Sequence, residues 1–393
     1  MAKDVFILGG KRTAMGEYVG ALKDVSAIDL GAIAARGVLE STGVSPDEID
    51  HTVIGNALQT SGDAIYGARH VALKAGVPFD RPALTVNRLC GSGIQSIVSG
   101  TQMIQLGEAQ TALVGGMESM SQAPHVIRGA RSGFPLGGGK LEDSLMVALL
   151  DTYCNTPMAG TAENLARKFE IPREEQDQYA LRSQQKAKRA QDAGYFAEEI
   201  VPVEVTSRKS TVMFDRDDHL RPETTLEGLA GLRPAFAKDA FVTAGNASGI
   251  VDGAAALIIC GEDYVKRRNA KPTGRIVSWA YAGVEPELMG IGPVPATRQA
   301  LEKAGLKLSD LDVVEVNEAF AAQYLAVEKE LGLDRSRTNV NGGAIALGHP
   351  LGATGTRLVI TLLNELHRRG GRYGLATACI GGGQGIAMIV ERI

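Results

Sequence analysis

Cysteine is scarce in this chain of 393 residues, which contains only Cys90, Cys154, Cys260 and Cys379. The four cysteines lie far apart and form no CxxC pair, so the sequence indicates neither a zinc site nor a disulfide framework. Free cysteines of this kind fit a reducing, intracellular setting.

Long apolar runs and an excess of basic residues are also lacking. No run approaches the ~20 apolar residues of a membrane span, and VFILGG near the N-terminus is too short for the apolar core of a secretory signal. The final VERI does not resemble a peroxisomal address. A net charge of -4 gives no support for nucleic-acid binding. We therefore expect a cytoplasmic protein with no membrane span, no nucleic-acid partner and no bound metal.

Glycine, in contrast, is abundant and clustered. The chain has 48 glycines, and because glycine has no Cβ, such clusters predict tight turns whose backbone closely approaches a ligand. The clusters are Gly91 with Gly93, Gly137 to Gly139, Gly342 with Gly343, and Gly381 to Gly383.

Short β-rich runs alternate with helical patterns along the chain, which favours an α/β fold with largely buried sheets. Residues 38–57 also align without gaps on residues 300–319: a helix, a glycine stop at Gly43 or Gly305, a turn and a strand. The repeat predicts a duplicated fold. We assign residues 1–118, completed by about 250–270, to the N-terminal half, 119–249 to an inserted lobe over the active face, and 271–393 to the C-terminal half.

Cys90 is the first candidate for chemistry, because NRLCGSG places it in a glycine-rich turn that opens a helix. The positive end of the helix dipole would lower its pKa from ~8.5 towards physiological pH. A small buried thiol with a structural role explains the same pattern equally well.

Three residues of the second half favour the catalytic interpretation of Cys90 over the structural one. Asn317 in VNEAF, His349 in ALGHPLG and Cys379 in ACIGGGQG occupy strand-to-turn positions of the duplicated units, as Cys90 does. Side chains at such positions can converge on one cleft, so a shared active site explains them better than coincidence.

Together, NRLCGSG, TAGNASG, VNEAF, NVNGGAIALGHPLGATG and CIGGGQG resemble the motifs of the thiolases, and the similarity extends over essentially the whole chain. The resemblance implies a five-layered αβαβα fold with two duplicated halves and an inserted loop domain. It also implies that coenzyme A and its acyl thioesters are substrates and products, with no separate cofactor.

The resemblance assigns a role to each candidate residue. Cys90 is the nucleophile that forms an acyl-enzyme, His349 is the base that keeps it ionised, and Cys379 is the general acid/base that moves the proton at the carbon alpha to the thioester. Asn317 holds a water that, with His349, forms one oxyanion hole. The backbone N–H groups of Cys90 and Gly381 form the second hole, which would explain the glycine-rich turns beside both cysteines.

The same resemblance gives coenzyme A contacts, although each residue type is also common in purely structural positions. Arg221 would lie near the nucleotide and Ser248 on the pantetheine arm. The apolar walls are assigned to Met158, Phe236, Met289 and Phe320.

Pro157-Met158 stands where biosynthetic acetoacetyl-CoA thiolases carry a His-Met pair, so the chain looks more like the degradative, mitochondrial-type 3-ketoacyl-CoA thiolases of fatty acid β-oxidation. We predict thiolysis of 3-ketoacyl-CoA to acetyl-CoA and a shortened acyl-CoA. The alternatives are an acetyltransferase specific for acetoacetyl-CoA, a ketoacyl synthase, and a catalytically silent lipid-binding scaffold. We expect a homotetramer built from dimers through the loop 131–139, or a homodimer.

Overall fold

The protein is described by a computed structural model that covers residues 3–206, 210–235 and 239–393. The N-terminal part contains β1 (Val5–Thr13), β2 (Gly16–Glu17), α1 (Ala27–Thr42), β3 (His51–Gly55), α2 (Gly67–Lys74), β4 (Ala83–Val86), α3 (Ser92–Leu106) and β5 (Thr111–Ser119). The inserted part contains β6 (His125–Ile127), β7 (Leu141–Asp143), α4 (Ser144–Ala148), β8 (Leu150–Asp151), β9 (Thr156–Pro157), α5 (Met158–Lys168), α6 (Arg173–Asp192), β10 (Ile200–Val201), β11 (Val203–Thr206), β12 (Thr211–Phe214) and α7 (Leu226–Ala230). The remainder contains β13 (Val251–Gly261), α8 (Glu262–Arg268), β14 (Gly274–Gly283), α9 (Pro293–Ala304), β15 (Val313–Val316), α10 (Ala321–Leu331), α11 (Ala344–Leu347), α12 (Leu351–Arg369), β16 (Tyr373–Ile380) and β17 (Gln384–Arg392).

Two sheets form the framework, in the orders β4-β3-β5-β13-β1 and β14-β17-β16-β15. They join edge to edge where β1 meets β14, through the pairs Phe6 with Arg275 and Ile7 with Gly274. The order of the first sheet places β13, which follows the insertion, between β1 and β5. The chain therefore returns to complete the first sheet before it builds the second.

Helices α3 and α12 lie between the two sheets, where their apolar residues share one core with strands of both halves. Helices α1 and α2 pack on the outer face of the first sheet, and α9 and α10 on the outer face of the second. The layer order is helix, sheet, helices, sheet, helix. This confirms the predicted αβαβα fold.

The internal repeat is visible in the backbone. Helix α1 stops at Gly43 with a φ of 67°, and α9 stops at Gly305 with a φ of 64°, the left-handed conformation that glycine adopts without strain. A short 3₁₀ turn follows each stop, and the chain then enters β3 or β15. The two halves thus repeat one supersecondary unit, as the sequence predicts.

The insertion packs its two longest helices on the second half, where Leu165 of α5 and Tyr179 of α6 join the core formed with α9 and α10. Helix α5 begins at Met158, because the extended Pro157 provides the helix boundary. Helix α6 begins at Arg173, directly after the extended Pro172.

Glycines bring the two central helices and a central strand into backbone contact. A Cβ on Gly93 of α3 would lie 2.5 Å from the backbone of α12, and one on Gly355 of α12 would lie 2.4 Å from the backbone of α3. A Cβ on Gly116 of β5 would lie 1.8 Å from the carbonyl oxygen of Gly352. Residues with side chains cannot occupy these positions without separating the elements.

We predict that Gly116→Ala destabilises the fold by ~3 kcal/mol, at the upper end of overpacking costs, because the obstructing atoms are backbone. The matched control is Gly62→Ala, since Gly62 is exposed and no described atom lies within 4 Å of its Cβ position. That change should alter stability by less than about 0.5 kcal/mol. Urea unfolding of both variants measures the difference, and equal losses would contradict the close packing.

Candidate active site

Cys90 lies in a 3₁₀ turn, Leu89–Gly91, between β4 and α3. Side chains of the same motif hold this turn: the Leu89 N–H donates to Oδ1 of Asn87 at 2.9 Å, and Oγ of Ser92 accepts from a preceding backbone N–H at 2.8 Å. Leu89 has a φ of 47°, the left-handed region that non-glycine residues rarely adopt. The NRLCGSG motif therefore builds a constrained turn that fixes the position of the thiol.

The surroundings of Cys90 keep its thiol protonated. Burial raises its pKa to about 11, while the backbone N–H groups of Gly381 and of Cys90 itself act in the opposite direction and Glu118 adds to the rise. The prediction that the helix N-terminus lowers this pKa is wrong for the resting site, because desolvation outweighs the N–H groups. Both N–H groups act on the Cys90 sulfur, and their role as an oxyanion hole stays a prediction.

His349 is held as a single tautomer. Its Nδ1 lies 2.6 Å from Oγ1 of Thr354, and that hydroxyl donates its own proton to the Pro350 carbonyl at 3.0 Å. The hydroxyl must therefore accept from Nδ1–H, which leaves the lone pair on Nε2. The His349 N–H donates to the Gly249 carbonyl at 2.9 Å, so the loop that joins the insertion to β13 fixes the backbone of this residue.

The unprotonated Nε2 of His349 faces the side chain of Asn317. Nδ2 of Asn317 donates to Nε2 of His349 at 3.3 Å, while Oδ1 of Asn317 is buried and has no hydrogen-bond partner within the described parts of the chain. Burial and the charge of Arg357 lower the pKa of His349 to about 3. The ring is therefore neutral at physiological pH and offers an unprotonated Nε2 that can act as a base.

Cys379 lies near the end of β16 and is completely buried. It packs with Met289, and Met158 and Phe320 lie against the same cluster. Burial, followed by the neighbouring Cys90, raises its pKa far above the ordinary value. Three of the predicted wall residues therefore surround the second cysteine, and the two cysteines are close enough to influence each other.

Gly381 follows Cys379 closely and presents its N–H to the Cys90 sulfur. A Cβ at this position would lie 3.2 Å from both Leu89 and Met158. The next two glycines, Gly382 and Gly383, have φ values near 80°, which residues with side chains rarely adopt. The CIGGGQG motif thus lets the backbone approach the thiol.

Ser248 and Arg221 extend the site away from the cysteines. The Ser248 N–H donates to the carbonyl of Ala319 at 3.0 Å, beside the wall residue Phe320. Arg221 is exposed at a cavity of about 400 Å³, where its Nη2 lies 2.8 Å from a Glu17 carboxylate oxygen. The predicted Phe236 lies outside the described residues.

The sequence reasoning missed Thr354 and Glu118. Thr354 could have been found from its helical spacing after His349 in GHPLGATG. Glu118 is a carboxylate at the end of an apolar strand, and it accepts from the Ala57, Leu58 and Gly352 N–H groups. Burial raises the pKa of Glu118 to about 7. Through these hydrogen bonds, Glu118 connects a loop of the first half to the start of α12, which lies just after His349.

No cluster of three or more His, Cys, Asp or Glu side chains in residues 3–206, 210–235 and 239–393 could hold a metal ion. No helix in the same ranges is long and apolar enough to cross a membrane.

A partly buried thiol beside two N–H donors, a second, fully buried thiol and a neutral imidazole are the groups that an acyl-transfer site working through a thioester requires. Comparison with known proteins agrees with this class. Residues 5–263 match the thiolase N-terminal domain, and residues 270–392 match the thiolase C-terminal domain. The chain belongs to the thiolase family and is an acyltransferase.

Individual relatives align over the full length. The human protein named mitochondrial 3-ketoacyl-CoA thiolase is 57% identical over 100% of this chain and 99% of its own. Its crystal structure superimposes with a TM-score of 0.98 over 100% and 99% of the two chains, and a second crystal structure is of its complex with CoA. An acetyl-CoA acetyltransferase of Rhizobium meliloti is 50% identical, over 99% of both chains.

The cytoplasmic location expected from the sequence is contradicted by these relatives. The human protein and other mammalian relatives with the same name are mitochondrial, which points to the mitochondrion instead. The expectation was wrong because free cysteines and an apolar run too short for a secretory signal do not distinguish one reducing compartment from another.

We predict that Thr354→Val lowers the thiolysis rate by roughly 10- to 100-fold, part of the ~10²–10⁴ contributed by a positioned acid–base group. Valine matches threonine in shape but cannot accept from Nδ1–H, so His349 loses its fixed tautomer. Thr354→Ser keeps the hydroxyl and should retain most of the rate. Steady-state kinetics of both variants provide the measurement, and equal rates would contradict this role.

Proposed function

We propose that this chain catalyses the reversible thiolysis of 3-ketoacyl-CoA, giving acetyl-CoA and an acyl-CoA shortened by two carbons. The observation that carries the proposal is the convergence of Cys90, Cys379 and the Gly381 N–H at one buried point, with a neutral His349 fixed beside Asn317. Thiolysis needs a nucleophilic sulfur, a proton carrier at carbon and donors for two developing oxyanions.

In this proposal Cys90 attacks the 3-keto carbon while Nε2 of His349 takes the thiol proton. The carbon–carbon bond then breaks, the acyl group stays on Cys90, and the acetyl-CoA enolate takes a proton from Cys379. The thiol of a second CoA gives its proton to Cys379 and attacks the acyl-enzyme, which releases the shortened acyl-CoA and restores Cys90. The Gly381 and Cys90 N–H groups support the oxyanion on the acyl group, and His349 with Asn317 supports the enolate oxygen.

The CoA contacts are part of the same proposal. The cavity beside Arg221 would receive the nucleotide, because His219 on its wall packs against Gly249, whose carbonyl accepts from the His349 N–H. Ser248 is the neighbour of Gly249 in the chain and would face the pantetheine arm. Phe236 stays a sequence-based expectation for the apolar wall.

We also propose the homotetramer expected from the sequence. The loop 131–139 carries two exposed apolar side chains, Phe134 at 44% and Leu136 at 108% of their reference areas. Apolar groups at a loop tip are typical of contacts between subunits. Light scattering of the purified chain measures its mass directly.

We predict that medium-length 3-ketoacyl-CoA is cleaved at least as efficiently as acetoacetyl-CoA. Met158, Met289 and Phe320 form an apolar wall around Cys379, and added methylenes in such a pocket are worth only ~1–3 kcal/mol, so the preference should be graded. A thiolysis assay across chain lengths, with acetyl-CoA condensation measured alongside, tests this. Activity confined to acetoacetyl-CoA would instead support an acetyltransferase, and no activity would support a silent scaffold.

We predict that Cys379→Ala still becomes acetylated at Cys90 by acetyl-CoA but nearly stops deuterium incorporation into the acetyl methyl group. Acetylation is exchange between thiols and breaks no carbon–hydrogen bond, whereas incorporation needs a base at carbon. Cys90→Ala should form no acyl-enzyme. Mass spectrometry follows both readouts.

Deuterium incorporation at the parent rate in Cys379→Ala would assign the carbon base to another residue. The two losses need not add, because the cysteines act in one unit.

A further inference from the structure

A buried ion pair lies within electrostatic reach of His349. Nη1 of Arg357 is 3.5 Å from Oε2 of Glu315, and the side chains are 2% and 0% exposed. At this separation no hydrogen bond joins them, and burial raises the pKa of Glu315 to about 8 and lowers the pKa of Arg357. Both carboxylate oxygens of Glu315 and both terminal nitrogens of Arg357 have no hydrogen-bond partner among the residues the structure covers.

The pair is close in sequence to both residues that contact His349. Glu315 lies on β15, and Asn317 directly follows this strand and continues its pairing through a backbone hydrogen bond to Thr377 at 2.9 Å, so the alternation of an extended chain places both side chains on the same side. Arg357 lies on α12 three positions after Thr354, so it is on the same face, one turn further along. The ion pair therefore lies next to the contacts that Asn317 and Thr354 make with His349.

Other charged groups face the pair from several elements. Arg12 of β1 contacts Glu199 at 2.9 Å and Asp217 at 2.8 Å, and it lies within reach of Arg357. The acidic groups around the pair are Glu199, Glu318 and Glu365. Arg357 is nonetheless the charged group that acts on His349, where burial and this cation lower the pKa to about 3.

We propose that Arg357, held in place by Glu315, is a positioning residue that acts through its charge to keep His349 unprotonated and its protonated form short-lived. The imidazolium formed when Cys90 attacks is then unstable, and it readily returns its proton when the Cys90 sulfur leaves. This inference rests on the proposed function of His349 as the base.

The sign of the effect follows from the charge. Without the cation, the pKa of His349 rises, so the base becomes protonated at a higher pH. The midpoint of the acid limb in the pH profile of thiolysis then shifts to a higher pH. A more basic His349 also increases the population of the ion pair between Cys90 thiolate and imidazolium, which reacts with alkylating agents. If Arg357 had only a structural role, removal of its charge would slow both thiolysis and alkylation of Cys90 and would leave the acid limb of the pH profile unchanged.

The experiment compares Arg357→Met with Arg357→Lys, which keeps the charge. In Arg357→Met we expect the acid midpoint of kcat/KM to rise by about one pH unit and iodoacetamide alkylation of Cys90 at pH 7 to become several-fold faster. Arg357→Lys should resemble the parent in both measurements. If Arg357→Met does not fold, as judged by circular dichroism, the paired change Arg357→Gln with Glu315→Gln removes both charges and should shift the midpoint in the same direction.

An unchanged midpoint together with slower alkylation in the charge-removed variant would overturn the inference. His349→Asn separates this result from failure of the proposed function. If His349→Asn leaves alkylation and thiolysis at parent rates, the assignment of the base is wrong. If it abolishes thiolysis while removal of the Arg357 charge shifts nothing, only the present inference fails.

Discussion

The backbone contact between α3 and α12 is the constraint on which the site depends. Gly93 and Gly355 allow the two helices to touch, and Gly116 allows the start of α12 to rest on β5. Cys90 lies two residues before α3 and His349 two residues before α12, so the close approach of the helices brings the proposed nucleophile and base from opposite halves to one region. A duplicated fold without these glycines would keep its two halves but separate its chemistry.

Two buried carboxylates then tie the surrounding loops to this contact. Glu118 follows the apolar part of β5 and accepts from the Gly352 N–H at 2.8 Å, across the boundary between the halves. Glu318 accepts from the hydroxyls of Tyr179 and Ser183 on α6, at 2.7 and 2.6 Å. Because a buried carboxylate is costly without such donors, each one requires its loops to stay in place. The insertion is thereby oriented relative to the same catalytic loops.

The sequence predicted the fold and the main candidates because both depend on local patterns. The repeat with its helix stops at Gly43 and Gly305 predicted the duplication, and motif resemblance pointed to Cys90, His349 and Cys379. In the structure the two cysteines influence each other, and the Gly381 N–H acts on the Cys90 sulfur. The pKa of Cys90 could not be predicted in this way. A helix terminus is visible in a sequence, whereas the desolvation that outweighs it arises from residues distant in the chain. Arg357 and Glu315 were missed for the same reason.

The resting site therefore combines a thiol whose pKa is about 11 with an imidazole whose pKa is about 3. A stable thiolate–imidazolium pair does not fit these values, so in the proposed mechanism proton transfer accompanies attack on the substrate instead of preceding it. This arrangement has a chemical advantage, because oxidants and electrophiles react with the thiolate and leave the neutral thiol largely untouched. In the proposed mechanism, Cys90 becomes strongly nucleophilic only when a thioester or ketone carbonyl takes the developing charge onto an oxygen held by the Gly381 N–H.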